Sequence, residues 1–174
     1  MFEGERPTGT KAQIYRELSL MAEGLFEGER DAIANAANLA ALLWLGLVDV
    51  NWTGFYFLRD KGLVLGPFQG KPACVRIVLG AGVCGTAAVT RKTVVIPDVA
   101  KFPGHIACDV ASRSELVVPL IRGTKLIGVL DLDSPLVKRF DEADAKGIES
   151  LAAQWLAASE IGRASCRERV YVLV

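Results

Sequence analysis

Two hairpin patterns constrain the fold more than any other feature. Residues 49–60, DVNWTGFYFLRD, form a run of aromatic and β-branched residues that stops at Asp60-Lys61-Gly62, a tight-turn signal. Residues 63–69 then return antiparallel. A second hairpin is expected from residues 116–121 and 125–132, joined across Arg122-Gly123-Thr124. Short turns of this kind join antiparallel neighbours, whereas parallel neighbours need a long crossover. The sheet is therefore expected to be mainly antiparallel. Alternation within the first strand puts Trp52, Gly54 and Tyr56 on one face and Thr53, Phe55 and Phe57 on the other.

The remaining elements must cover this sheet. Thr10 with Gln13 is a capping-box pattern that should open a helix through about Gly24. Residues 31–45, rich in Ala and Leu, read as a second helix, and Phe140-Asp141 opens a terminal helix to about Glu160. Between the hairpins lie a strand at 74–79, two helical turns at 82–91, a short strand at 93–96 stopped by Pro97, and a long loop at 98–114. Covering helices on an antiparallel sheet make an α+β domain. Residues 1–162 are expected to form that single domain. The last residues pack three arginines into RASCRERV before an apolar YVLV and continue no amphipathic period, so 163–174 is expected to be a non-native or disordered tail. Cys166 is accordingly left out of the chemistry.

Composition narrows the partners. Lys+Arg and Asp+Glu are both 20, which argues against nucleic acid or a polybasic membrane anchor. The longest apolar stretch, 32–48, is interrupted by Asn35 and Asn38 and is too short to span a bilayer. The first residues do not read as a signal peptide. Four widely spread cysteines are too few for a secreted disulfide scaffold, so a reducing cytosol is the expected compartment.

The chemistry-bearing residues concentrate in two stretches. FPGHIACDVASRSE, residues 102–115, places Cys108 three residues after the single histidine, His105, and ahead of Glu115. GVLDLDS, residues 128–134, places Asp131 and Asp133 two apart, on one face of a strand. A thiol and three carboxylates in so apolar a chain point to thiol chemistry on a small molecule. Each residue also has a plainer reading. Cys108 could be a small buried apolar residue, the aspartates a solvated sheet edge, Glu115 a strand start, and Trp52 and Tyr56 core packing. GAGVCG, residues 80–85, fits a dinucleotide fingerprint in letters only, because too few residues follow it for a crossover helix. It reads as a tight turn into a short helix. A zinc site from His105, Cys108, Cys74 and Cys84 lacks paired CxxC spacing, and no metal or cofactor is expected.

From Asn51 onward, NWTGFY (51–56), GPFQGKPAC (66–74), GVCGTAA (82–88), PDVAKFPGHIACD (97–109), GVLDLDSP (128–135) and RFDEAD (139–144) resemble the free methionine-(R)-sulfoxide reductases, a branch of the GAF-domain fold. The resemblance covers about residues 10–160, and the spacing of Cys74, Cys84 and Cys108 is similar to that of the three-cysteine members. It implies a GAF-like domain, a central mainly antiparallel sheet flanked by helices on both faces. It implies thiol-dependent reduction of free L-methionine (R)-sulfoxide, with Cys108 as nucleophile and Cys74 as the resolving cysteine. Cys84 would either assist recycling or merely pack. Trp52 and Tyr56 would wall the pocket, Trp52 against the substrate methyl group, and Glu115, Asp131 and Asp133 would bind the ammonium group and supply a proton. His105 would order the loop or tune Cys108, with the structural role preferred. Thioredoxin is the implied reductant and a homodimer the implied assembly. The rival reading is a non-catalytic GAF module that binds a small ligand and senses redox state. Such modules are usually tied to an output domain, for which these residues leave no room.

Overall fold

The computed structural model of the protein describes residues 5–104 and 110–161. Cys108, His105 and the tail from 162 onward lie outside the described residues. Helix α1 (Lys11–Phe26) starts at Thr10, where the expected capping box forms with Gln13. Helix α2 (Ala32–Gly46) starts at Asp31, whose carboxylate accepts from the N–H groups of Ile33 and Ala34. Strands β1 (Trp52–Arg59) and β2 (Gly62–Gly70) form the first hairpin, turning through Asp60 at φ 49°. Strand β3 (Arg76–Val78), helix α3 (Gly82–Thr90) and strand β4 (Val94–Ile96) follow, then a single 3-10 turn at Val99–Lys101. Strands β5 (Ser114–Arg122) and β6 (Lys125–Ser134) form the second hairpin, and helix α4 (Glu142–Ala158) closes the domain.

The six strands run in the order β3-β2-β1-β6-β5-β4, and every neighbouring pair is antiparallel. The alternation expected for β1 divides the interior into two cores. Phe55 and Phe57 enter the larger core, with Leu18 of α1, Leu39 and Leu43 of α2, and Trp155 of α4. Trp52 and Tyr56 enter the smaller core, against Val83, Cys84 and Ala87 of α3. Among the described residues, three helices thus cover one face and α3 covers the other, so the α+β sheet flanked on both faces is as expected. None of the helices among the described residues is long and apolar enough to cross a membrane.

Two expected boundaries move. Cys74 was expected to open a strand, yet β3 begins only at Arg76. Pro72 has no N–H to give a ladder, and the Cys74 carbonyl is taken by the Tyr56 hydroxyl at 3.0 Å. Strand β5 begins two residues earlier than expected, because β6 extends far enough to pair Ser114 with Ser134 and Glu115 with Asp133. GAGVCG is the tight turn expected: Gly80 and Gly82 take positive φ, and α3 leads to an edge strand antiparallel to β5.

The layer of α1 and α4 is pinned by one buried carboxylate. Asp144, at the third position of α4, accepts from Tyr15 Oη at 2.9 Å and Arg139 Nη1 at 3.1 Å, and also contacts Lys11. Its other oxygen accepts from the Asp141 N–H at 2.9 Å, completing the capping box. A buried charge is tolerated only when paired and hydrogen-bonded in this way.

That anchoring decides the sign of a helix substitution. A Cβ at Gly147 would lie 2.2 Å from Cγ of Tyr15, whose ring is held by Asp144. Alanine gains about 1 kcal/mol of helix propensity over glycine, but overpacking a fixed ring costs about 1–3 kcal/mol. Gly147→Ala is therefore expected to lower stability by up to about 2 kcal/mol in urea unfolding; a stabilised variant would refute the packing argument. The acid side is tested at Asp141. The hydrogen bond from Lys11, helped by the N–H groups it caps, lowers its carboxyl from 3.8 to about 2. A depressed carboxyl contributes stability that is complete above the unfolded value and is lost as pH falls through the folded one. With the Asp141 side chain 57% exposed, solvent screening leaves about 0.5–1 kcal/mol. The stability difference between wild type and Asp141→Asn should shrink between pH 4 and pH 2, and a constant difference would count against it.

Candidate active site

The register of three strands builds the site. Trp52 on β1 pairs with Asp133 on β6, and Asp133 pairs with Glu115 on β5. Paired residues share a face, so an indole and two carboxylates stand in one row across the sheet. The next row on that face is Gly54, Asp131 and Val117. Gly54 lets Phe68 and the Trp52 indole close over the sheet at this row. A Cβ there would fall 2.4 Å from Cβ of Phe68 and 2.7 Å from the Trp52 indole. Trp52, Tyr56, Cys84, Glu115, Asp131 and Asp133 all line one cavity beneath α3. The structure therefore brings together six of the eight residues assigned to catalysis or substrate binding from the sequence. Cys74 lies beside Ala73, which lines the cavity, and Cys108 lies outside the described residues.

The aromatic wall is fixed in place. Trp52 Nε1 donates to the Lys71 carbonyl at 3.1 Å, and Tyr56 Oη donates to the Cys74 carbonyl. The Trp52 ring stacks on Phe68 at a centroid separation of 5.4 Å and on Tyr56 at 5.8 Å. Trp52 and Tyr56 are both buried, so they pack the smaller core and line the cavity at once.

The carboxylates are not a solvated sheet edge. Strand β6 has a neighbour on each side, and Asp131 and Glu115 are each only 6% exposed. Burial raises the pKa of Glu115 well above the ordinary carboxylate range, and the charges of Asp131 and Asp133 push it further. Burial and Asp133 raise Asp131 in the same way, partly opposed by hydrogen bonds from Cys84 and the Leu132 N–H. Like charges this close titrate as a group and retain a proton where an isolated carboxyl would not.

The cysteines separate into two kinds. Cys84 is a free thiol in the first turn of α3, 4% exposed, with Sγ 3.9 Å from Glu115 Oε1. Burial and the neighbouring Asp131 and Glu115 push its pKa well up, so it is a poor nucleophile at neutral pH. Cys74 is half-buried and disulfide-bonded.

Sequence reasoning missed three cavity-lining features. Ala81 is the N-cap of α3 and carries no side-chain cap, and Ala81, Gly82 and Val83 at the start of that helix line the cavity. The signal was available, since alanine stands where a capping residue is usual. Ser112 lines the cavity and accepts from Asn51 Nδ2 at 3.1 Å, and Lys71 joins it from the segment after β2. Neither has a local pattern that marks it.

A GAF domain model matches residues 30–158. The chain is 51% identical over 144 residues to the free methionine-R-sulfoxide reductase of Escherichia coli, covering 83% of this chain and 87% of that protein. It is 53% identical over 154 residues to protein YtsP of Bacillus subtilis, covering 87% and 94%. The free methionine-R-sulfoxide reductase of Neisseria meningitidis, solved in complex with its substrate, superposes with a TM-score of 0.85 at 42% identity, covering 90% of this chain and 95% of that one. With its sheet order, its two-sided helix cover and these relatives, the chain belongs to the free methionine-R-sulfoxide reductase family of GAF domains.

Proposed function

We propose that this protein reduces free L-methionine (R)-sulfoxide to L-methionine. The row of Trp52, Asp133 and Glu115 carries the reading, because it sets an apolar wall for a methyl-sulfur group beside carboxylates for an ammonium group. The names of the Escherichia coli relative and of the Neisseria meningitidis neighbour support the same substrate. The uncapped N-terminus of α3 offers backbone donors to the substrate carboxylate at the other side of the cavity.

The proposed chemistry is a cysteine redox cycle. The Cys108 thiolate attacks the sulfoxide sulfur while a protonated carboxyl of the Glu115–Asp131–Asp133 group delivers a proton to the oxygen. Oxygen passes to the cysteine, giving a sulfenic acid, and methionine leaves. The Cys74 thiol then attacks that sulfenic acid, water departs, and a Cys74–Cys108 disulfide remains. A dithiol such as thioredoxin reduces it, returning two thiols and becoming a disulfide itself. That Cys74 forms a disulfide supports its place as the resolving cysteine. Cys84, buried and held protonated, is read as a packing residue at the cavity wall during this cycle. The reading extends to a cytosolic homodimer.

Single-turnover and steady-state assays divide the two cysteine roles. Cys108→Ser should lose sulfoxide reduction entirely while unfolding like wild type, and normal turnover by that variant would remove it as nucleophile. Cys74→Ser should release about one methionine per site and then stall with thioredoxin. Unchanged thioredoxin-driven turnover would instead point to direct reduction of the sulfenic acid. Absence of any turnover by the wild type would favour a non-catalytic ligand-binding module.

Selectivity gives a separate check. Acetylation removes the ammonium charge that the buried carboxylates are proposed to bind. N-acetylmethionine sulfoxide should fall in kcat/KM by about a hundredfold or more, the loss of roughly 3 kcal/mol for a buried charged hydrogen bond. Equal rates on both substrates would refute the pocket as described.

A further inference from the structure

Three groups lining the cavity converge on one point. Cys84 Sγ, a Glu115 oxygen and an Asp131 oxygen all lie within 4.8 Å of one another. They come from α3, β5 and β6, and all three residues are buried. A tetrahedral zinc ion, with Zn–S of about 2.3 Å and Zn–O of about 2.0–2.2 Å, sets its sulfur and oxygen ligands roughly 3.5–3.7 Å apart. The 3.9 Å between Cys84 Sγ and Glu115 Oε1 is within a few tenths of an ångström of that edge.

A second observation is independent of this convergence. Asp131 Oδ1 is buried and has no hydrogen-bond partner among the described residues, and Asp131 faces the cavity. A carboxylate oxygen removed from water without a partner is costly, and a bound cation satisfies it. The donor set also selects the cation. Magnesium and calcium take six or more oxygen ligands, whereas one sulfur and two oxygens suit a borderline-soft ion.

We infer that Cys84, Glu115 and Asp131 form a three-ligand site for a thiophilic divalent cation of the zinc class, with the fourth position open to the cavity. As the metal–sulfur bond forms, the S–H bond breaks and its proton passes to solvent. Spacing in the sequence could not reveal this set, because its ligands are contributed by three separate elements. On the reductase reading, the cation occupies the carboxylates that the substrate ammonium needs. It therefore competes with substrate, and a chelator restores activity.

Cobalt(II) is the probe, because a cobalt–thiolate bond absorbs in the near ultraviolet. The full-length protein carrying Cys74→Ser, Cys108→Ser and Cys166→Ser keeps Cys84 as its one cysteine. It should show a thiolate-to-cobalt band that saturates at one equivalent and is displaced by zinc. Adding Cys84→Ser should abolish the band, and adding Asp131→Asn instead should weaken cobalt binding by at least about tenfold. No band in the single-cysteine protein, or absorption that survives Cys84→Ser, overturns the site. Should the single-cysteine protein fail to fold, reduced wild type against Cys84→Ser decides, with loss of one bound equivalent expected and no loss overturning it. Sulfoxide assays on reduced wild type supply the second arm, where zinc should raise apparent KM and leave kcat unchanged. Cobalt binding without any sulfoxide turnover would leave the metal site standing and remove the reductase reading. Turnover without cobalt binding would do the reverse.

Discussion

The position of β6 between β1 and β5 is the constraint on which the site depends. Asp131 and Asp133 are both on β6, and the groups that answer them are on its two neighbours. A slip of one residue in this register would turn both aspartates into the larger core among Phe55, Leu116 and Val118. Buried unpaired carboxylates there would be intolerable. The apolar residues alternating with them, Leu130 and Leu132, favour the observed register for the opposite reason, since both are fully buried on the three-helix face. Positive selection of one register and exclusion of the other come from the same strand.

The two faces carry different loads. The three-helix face supplies the larger hydrophobic core and is pinned by the Asp144 network. The α3 face is thinner and includes the polar groups that an ordinary core would exclude: Glu115, Asp131 and a buried thiol. Burying like charges side by side costs stability. That cost is offset by the larger apolar core of the opposite face, where the buried carboxylate Asp144 is paired with Lys11 and Arg139. The division follows directly from the two-residue alternation of β1, which sends Phe55 and Phe57 one way and Trp52 and Tyr56 the other.

Much of this was legible in the residues themselves. Hairpin turns, capping residues and the alternation of residues 49–60 identify the elements, because each is a local signal with a local cause. The convergence of Trp52, Asp133 and Glu115 was legible only through resemblance to a family, since it depends on pairing between distant strands. The extent of β3 was misjudged because Cys74–Val75 looks like strand by composition, while its carbonyl is claimed by a side chain from β1. Lys71 and Ser112 went unnoticed because nothing near them in the chain marks a residue that will face a cavity. Cys108 and His105, singled out from the sequence, are outside the described residues.

The pairing of Trp52 with Asp133 also has a kinetic meaning. It joins positions about eighty residues apart, and every row of the site needs it. Local hairpins and helices form early, whereas closing so long a loop carries an entropic cost that local contacts do not. The cavity is thus among the last features completed as the chain folds. Until β1 and β6 meet, the newly made chain carries its cysteines without the carboxylates and indole that would direct their chemistry.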